Sequence, residues 1–228
     1  MSDELLSDAE LLRYHRQINL VGVDIDGQER LKQARVLIIG VGGLGCAAAQ
    51  YLALAGVGRL TLVDHDQVEA SNLQRQVLHR DSRIGHSKVS SAAATLAELN
   101  PLVDVAAVAA RADETLLEQQ LPQHDLLLDC SDNLATRQLL NRMAGRFRVP
   151  VVSAAAIRLE GQLALFRWQP GEPCYQCFSH QFGEPGASCV EAGVLAPIVG
   201  VLGSLQALEA LKLLLQLGDW PLGQLLLI

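Results

Sequence analysis

Hydrophobic and polar positions divide the chain into short segments that alternate in kind. Arg35–Ile39, Leu60–Val63, Val103–Val108, Asp125–Asp129 and Val149–Ala154 are brief apolar runs, the pattern of strands buried on both sheet faces. Between them the apolar positions recur at helical spacing over Cys46–Ala55, Ser87–Leu99, Glu114–Gln120 and Thr136–Phe147. Asn100-Pro101 stops the second of these helices, because the residue before a proline is pushed out of the helical region. Ser7-Asp8-Ala9-Glu10 reads as a capping box that opens a helix from Ser7 to Asn19, and a shorter helix is predicted over Gln28–Gln33. Strands alternating with helices imply a doubly wound, mostly parallel α/β sheet of Rossmann type behind an N-terminal helical segment.

The pattern changes after Ala154. Ile157–Glu160 and Gln162–Arg167 flank Gly161 as two antiparallel hairpin strands would. A Gly- and Pro-rich loop is predicted over 169–186, a long helix after Pro197 and a last strand over Gly223–Ile228. The whole reads as a single domain in three parts: helices 1–34, a nucleotide-binding core 35–154 and a C-terminal part 155–228.

Composition narrows the function. The 228 residues carry 25 acidic against 18 basic side chains, a net charge of −7, so a general nucleic-acid binder is not expected. Aromatic residues make up only 4%, too few for a platform that stacks single-stranded bases. The longest uncharged run, Ala192–Leu208, contains Pro197 and three glycines and reads as a loop entering a buried helix, not as a membrane span. The N-terminus has neither a basic segment nor an apolar one of signal-peptide type, and five cysteines do not suggest a disulfide framework. A cytoplasmic location is the expectation.

Gly40-Val-Gly42-Gly43-Leu-Gly45 follows a predicted strand and precedes a helix, the setting in which G-x-G-x-x-G holds a phosphate against backbone N–H groups. Asp64 ends the next strand, where a carboxylate can accept ribose hydroxyls. Those two features alone suit an NAD-dependent oxidoreductase. Ser71-Asn72-Leu73-Gln74-Arg75-Gln76 and Lys88 point elsewhere. Taken singly, Arg75 and Lys88 would be solvated surface charges. Behind a phosphate loop they suit cleavage of a triphosphate, where negative charge builds on the α-phosphate and the departing pyrophosphate. Asp132, in Asp129-Cys-Ser-Asp-Asn133, sits past another strand end, placed to hold Mg²⁺ or to cap the helix that follows. Cys174-Tyr-Gln-Cys177 is half of a tetrahedral zinc site, and no second C-x₂-C pair exists. Cys46 and Cys130 read as core residues, and Cys189 stands alone.

Together these segments, with Arg13-Tyr-His-Arg16-Gln17 before them and Cys189-Val-Glu-Ala-Gly-Val-Leu-Ala-Pro197 after them, resemble the MoeB/ThiF/HesA adenylyltransferases, and within them most the MoeB branch. The resemblance implies an enzyme that uses ATP and Mg²⁺ to adenylylate the C-terminal Gly-Gly tail of a small ubiquitin-like sulfur carrier. A sulfurtransferase then converts the adenylate to a thiocarboxylate, in the MoeB branch for molybdenum cofactor biosynthesis. It implies that Gly42 and Gly43 line the phosphate loop and that Asp64 holds the ribose. Ser71, Asn72, Arg75, Gln76, Lys88 and Asn133 would contact the nucleotide, with Asp132 on Mg²⁺. Arg16 matches an arginine that reaches the partner subunit's site, implying a homodimer, and Cys189 matches a cysteine used in a later covalent step. The C-terminal part, 155–228, would bind the carrier. Relatives usually continue with a second Cys-x-x-Cys, so this chain is expected to lack the zinc-bearing tail and to bind Zn²⁺ weakly or not at all. A thiamine-pathway carrier adenylyltransferase, a tRNA-modifying dehydratase and a non-catalytic nucleotide-binding scaffold are the remaining alternatives.

Overall fold

The structure is a computed structural model and describes residues 5–179, 193–218 and 224–228. The capping box forms: Ser7 Oγ accepts the Glu10 amide while the Glu10 carboxylate accepts the Ser7 amide, launching α1 (Asp8–Ile18). Helix α2 (Asp24–Gln33) begins ahead of the predicted Gln28. There follow β1 (Arg35–Ile39), α3 (Gly43–Leu54), β2 (Arg59–Val63), α4 (Lys88–Leu99), β3 (Asp104–Val108), α5 (Glu114–Gln120), β4 (Leu126–Asp129), α6 (Leu134–Phe147) and β5 (Val151–Ile157). The C-terminal part supplies β6 (Glu160–Phe166), α7 (Tyr175–Ser179), α8 (Ala196–Leu215) and β7 (Leu225–Leu227). Helix α7 lies inside the stretch predicted as loop.

The seven strands form one sheet in the order β3-β2-β1-β4-β5-β6-β7. The first five are parallel and the last two run antiparallel, as predicted. Successive residues of β1 serve opposite cores: Val36 and Ile38 face the side covered by α3 and α8, Leu37 and Ile39 the side covered by α5 and α6. All four are essentially buried, each contributing about 1.5–3 kcal/mol of burial before its entropy cost. Strand order reverses between β1 and β4, so the crevice beyond their C-terminal ends is where an open α/β sheet binds ligands.

The hairpin differs from the sequence reading. Strand β5 runs on through Ile157, and the turn is Arg158-Leu159, with Ile157 paired to Glu160. Gly161 lies within β6 because α8 crosses there: a side chain at this position would overlap Leu202. Arg158 makes the turn at φ +54°. Steric need for a glycine was a packing signal and not a turn signal.

Helix α8 is, among the described residues, the one helix long and apolar enough to cross a membrane. Here it lies against α3 and the sheet, buried along Val199, Leu202, Ala207 and Ala210. Fully buried Gln206 fixes its depth, donating from Nε2 to the carbonyls of Asp129 at 2.9 Å and Val152 at 2.8 Å.

Candidate functional site

A cleft of about 390 Å³ opens beyond the ends of β1, β2 and β4. Its floor is the glycine loop. Gly40 has φ +94°, and a side chain there would press on the Cys130 carbonyl at 2.7 Å. A side chain at Gly45 would overlap the Gly40 carbonyl oxygen, so this glycine lets α3 start directly against the end of β1. Gly42, the N-cap of α3, is different: the nearest atom to an added side chain is Gln76 Nε2 at 3.7 Å. Gly42 thus leaves open space over the helix N-terminus, where unpaired N–H groups and the helix dipole favour an anion. The helix begins at Gly43, ahead of the predicted Cys46.

One wall comes from β2 and the segment after it. Asp64, only 9% exposed, accepts the Val41 amide on Oδ2 at 2.7 Å and the Asp66 amide on Oδ1 at 2.9 Å. Lys88 opens α4 behind the Ser87 N-cap and reaches its ammonium to Asp66 Oδ2 at 2.7 Å. Partial burial pushes the Asp66 carboxyl up, but the hydrogen bond and charge of Lys88 outweigh it and hold the carboxyl below its usual range. Asn72, Arg75 and Gln76 line the same wall on the turn that follows β2. Gln76 is buried and its Oε1 has no partner among the described residues. Arg75 donates from Nη1 to the Ser71 carbonyl at 2.9 Å.

The opposite wall comes from β4 and α6. Asp129 is the buried support: Oδ1 accepts from the Ser131 hydroxyl and Oδ2 from the Ser153 hydroxyl. Asp132 and Asn133 beyond it are exposed, and Asn133 caps α6 by accepting the Thr136 amide. Asp132 Oδ1 accepts from Asn133 Nδ2 at 3.3 Å, so most of its acceptor capacity faces the cleft. A carboxylate in that condition fits a hard cation such as Mg²⁺.

The cleft therefore gathers Gly42, Gly43, Asp64, Asn72, Arg75, Gln76, Lys88, Asp132 and Asn133. Ser71 does not line it; exposed, it donates to Glu69 and holds Arg75 through its carbonyl. Arg16 is exposed on α1 and lines no part of its own chain's cleft. Cys189 lies outside the described residues. Sequence reasoning missed Arg137, which reaches the cleft from the second turn of α6. Its guanidinium donates from Nη2 to the Ser131 carbonyl at 2.7 Å, and its buried Nε has no partner among the described residues. Its place four residues after Asn133, one turn into the helix that the Asp-Asn motif opens, was the available signal.

The remaining candidates behave differently. Cys46 and Cys130 are buried in the core, and burial pushes the Cys46 thiol up to about 12 and the Cys130 thiol well up. Cys174 and Cys177 lie 3.8 Å apart, sulfur to sulfur, at the start of α7. Burial raises the Cys174 thiol, but hydrogen bonds from Cys177 and Asn141 outweigh it and lower it. Among the described residues, one group of three side chains brings metal-ligating atoms within 4.8 Å of one another: Asp64, His65 and Asp66. There Asp64 already accepts two backbone amides and Asp66 Oδ2 the Lys88 ammonium, while Asp66 Oδ1 lies 3.5 Å from His65 Nε2.

A model of the ThiF family matches residues 14–227. The molybdopterin-synthase adenylyltransferase of Escherichia coli K12 is 55% identical over 97% of this chain and 89% of its own length. An adenylyltransferase and sulfurtransferase of Drosophila grimshawi is 46% identical over 97% of this chain and half of its own. Among solved structures, PaaA superposes with a TM-score of 0.82 at 27% identity, covering all of this chain and 72% of that one. Escherichia coli MccB with ATP superposes with a TM-score of 0.74 at 25% identity, over 95% of this chain and 66% of that one. On the match that spans nearly its whole length, the chain belongs to the ThiF family.

Proposed function

We propose that this chain is a molybdopterin-synthase adenylyltransferase, using ATP to adenylylate the C-terminal glycine of a ubiquitin-like sulfur carrier. One observation carries the reading. A phosphate loop, a ribose-ready carboxylate and the donors Asn72, Arg75 and Lys88 line a single cleft at the sheet's switch point. The high identity to an enzyme of that name supports the choice of substrate.

In this reading the triphosphate lies over Gly42 and Gly43, and Asp64 accepts the ribose hydroxyls. The carrier's terminal carboxylate attacks the α-phosphorus, the bond to the β-phosphate oxygen breaks, and pyrophosphate leaves. Arg75 and Lys88 stabilise the charge that builds on the phosphoryl oxygens, and they do so best in the transition state, where that charge is greatest. Asp132 would hold Mg²⁺, which supplies Lewis-acid charge neutralisation. Arg137, on the Asp132 wall, has donors to spare for the incoming carboxylate or the tail's carbonyls. A sulfurtransferase takes the adenylate onward, in keeping with the fused adenylyltransferase and sulfurtransferase among the relatives. The reaction belongs in the cytoplasm.

The test is pyrophosphate–ATP exchange with Gly-Gly carriers added one at a time. Exchange with a molybdopterin-synthase carrier is expected; tight NAD binding without exchange would replace this reading by an oxidoreductase. A homodimer completes the proposal, with exposed Arg16 serving the neighbouring cleft. Mixing an Arg16→Ala chain with a Lys88→Ala chain should then restore up to about one quarter of wild-type activity, since half the dimers are mixed and each has one intact site. No rescue after demonstrated subunit exchange removes the role across the interface.

A further inference from the structure

The Lys88 ammonium does not stand free in the cleft. Its side chain is 9% exposed, and among the described residues its hydrogen-bond partner is the Asp66 carboxylate, at 2.7 Å. Asp66 also holds the Lys88 backbone, its carbonyl accepting the Lys88 amide at 2.9 Å. Both ends of the lysine are therefore gripped by one residue. The segment carrying Asp66 is itself fixed: Gln67 bridges Ser87, the Val68 amide donates to the His86 carbonyl, and the Val68 carbonyl accepts the Gly85 amide. On its other side, Asp66 donates its own amide to Asp64, which in turn accepts Val41 of the phosphate loop. A continuous run of hydrogen bonds thus joins the phosphate loop, the candidate ribose acceptor, Asp66 and Lys88.

Physical chemistry gives this run a purpose. A lysine's long stem has many rotamers to lose before its ammonium can be aimed. Asp66 answers that problem: its carboxylate selects one direction for the ammonium. An ammonium has three N–H donors, and one on Asp66 leaves two for phosphate oxygens. Asp66 is 51% exposed and itself lines the cleft, so it can stay solvated while it holds the lysine.

We propose that Asp66 is a positioning residue for Lys88, setting the aim of that ammonium before and during phosphate cleavage. The proposal rests on the reading of this cleft as an ATP site. Because it acts through a group needed most in the transition state, its loss should appear in kcat more than in KM.

The experiment is a double-mutant cycle read by pyrophosphate–ATP exchange on the full chain with its carrier. Asp66→Ala should lower kcat by about 10-fold or more while KM for ATP moves less than about 3-fold. Asp66→Asn, which keeps an acceptor of the same shape without the charge, should fall between Asp66→Ala and wild type. Adding Asp66→Ala to Lys88→Ala should cost less than about 2-fold further, since the group being positioned is already gone. Independent losses that multiply in the double variant would overturn the proposal. So would wild-type kcat in Asp66→Ala beside a crippled Lys88→Ala. A Lys88→Ala chain with wild-type exchange is a distinct result, overturning the role of Lys88 and the proposal with it. A second readout avoids catalysis: acylation of Lys88 by an amine-reactive ester, followed by mass spectrometry at fixed pH. Folded Asp66→Asn should be labelled several-fold faster than wild type as its amine is released from the carboxylate that holds it; an unchanged rate counts against the pairing.

Discussion

The two walls of the cleft are built on opposite plans. On the β2 wall Asp64 and Asp66 are tied to backbone amides and to Lys88 by hydrogen bonds of 2.7–2.9 Å. On the β4 wall Asp129 is held by two serine hydroxyls, whereas the Asp132 carboxylate beyond it has a single 3.3 Å contact, to its neighbour Asn133. The difference follows from what each wall would meet. In the proposed reading the β2 wall would hold the nucleotide, and donors and acceptors fixed in advance lose little entropy on binding. The β4 wall would meet a metal ion and an incoming carboxylate, which need open acceptors and donors. Arg137, whose guanidinium lines the cleft from α6, fits that second plan.

Breaking the fixed wall should cost most. Lys88→Ala or Arg75→Ala is expected to lower kcat by about 10²-fold or more, because each removes a positive charge aimed where negative charge develops. Neither side chain belongs to the hydrophobic cores, so thermal melting should change far less than turnover. Adenylation at the wild-type rate in either folded variant removes that residue from the chemistry.

A second pair of substitutions sets wall against wall. Asp132→Asn should raise the Mg²⁺ concentration needed for half-maximal activity by about 10-fold, an amide being a poorer ligand for a hard cation. Asp64→Ala should instead raise KM for ATP by a similar factor, and it should also destabilise the chain by about 1–2 kcal/mol, since the Val41 amide loses its acceptor. Mg²⁺ titrations and urea melts on both variants separate the two effects. Equal shifts in metal dependence would mean that the walls do not divide the work.

Much of this was legible in the sequence because the same residues carry both local and global signals. The glycine loop and the strand-end Asp64 each mark an element boundary and a cleft position at once, while the cap of α6 falls on Asn133 and not on Asp132, the cap the sequence offered. Three things were not legible, for different reasons. Gly161 looked like a turn because its contact, Leu202, lies 41 residues away on α8. Arg137 looked like any surface arginine of an amphipathic helix until the sheet placed Ser131 beside it. Asp66 carried no signal of its own, since its partner Lys88 is 22 residues distant and is brought back by the Gln67–Ser87 bridge. For Gly161 and Asp66 the missing information was a long-range contact, which pattern alone does not encode.

The smallest expected effect lies behind the fixed wall. His79 is buried, with Nε2 3.1 Å from the Val41 carbonyl and Nδ1 3.0 Å from the Ser91 hydroxyl. A carbonyl only accepts, so neutral His79 carries its proton on Nε2 and accepts from Ser91 on Nδ1. Burial lowers its pKa; the hydrogen bond to Val41 pulls the other way, and Lys88 nearby lowers it further. The sign then follows. Below the ordinary histidine value the unfolded chain takes up a proton that the folded chain still refuses, so stability falls as pH drops from about 6.5 toward the lowered native value. Buried His124, lowered chiefly by burial as well, adds to the same slope from the far side of the sheet, where it bonds Gln120 and Thr61. Urea melts at pH 7.5 and 5.5 should therefore show less stability at the lower pH, with a slope of no more than one proton per histidine. His79→Gln should flatten part of that slope and leave the part due to His124. The hydrogen-exchange protection factor of the Val41 amide, taken against the intrinsic rate at each pH, should fall on acidification in wild type but not in His79→Gln, because only a protonated imidazole disturbs the Ser91 hydrogen bond and the phosphate loop above it. Identical pH slopes in the two proteins would show that the rigidity of the β2 wall does not extend to the histidine beneath it.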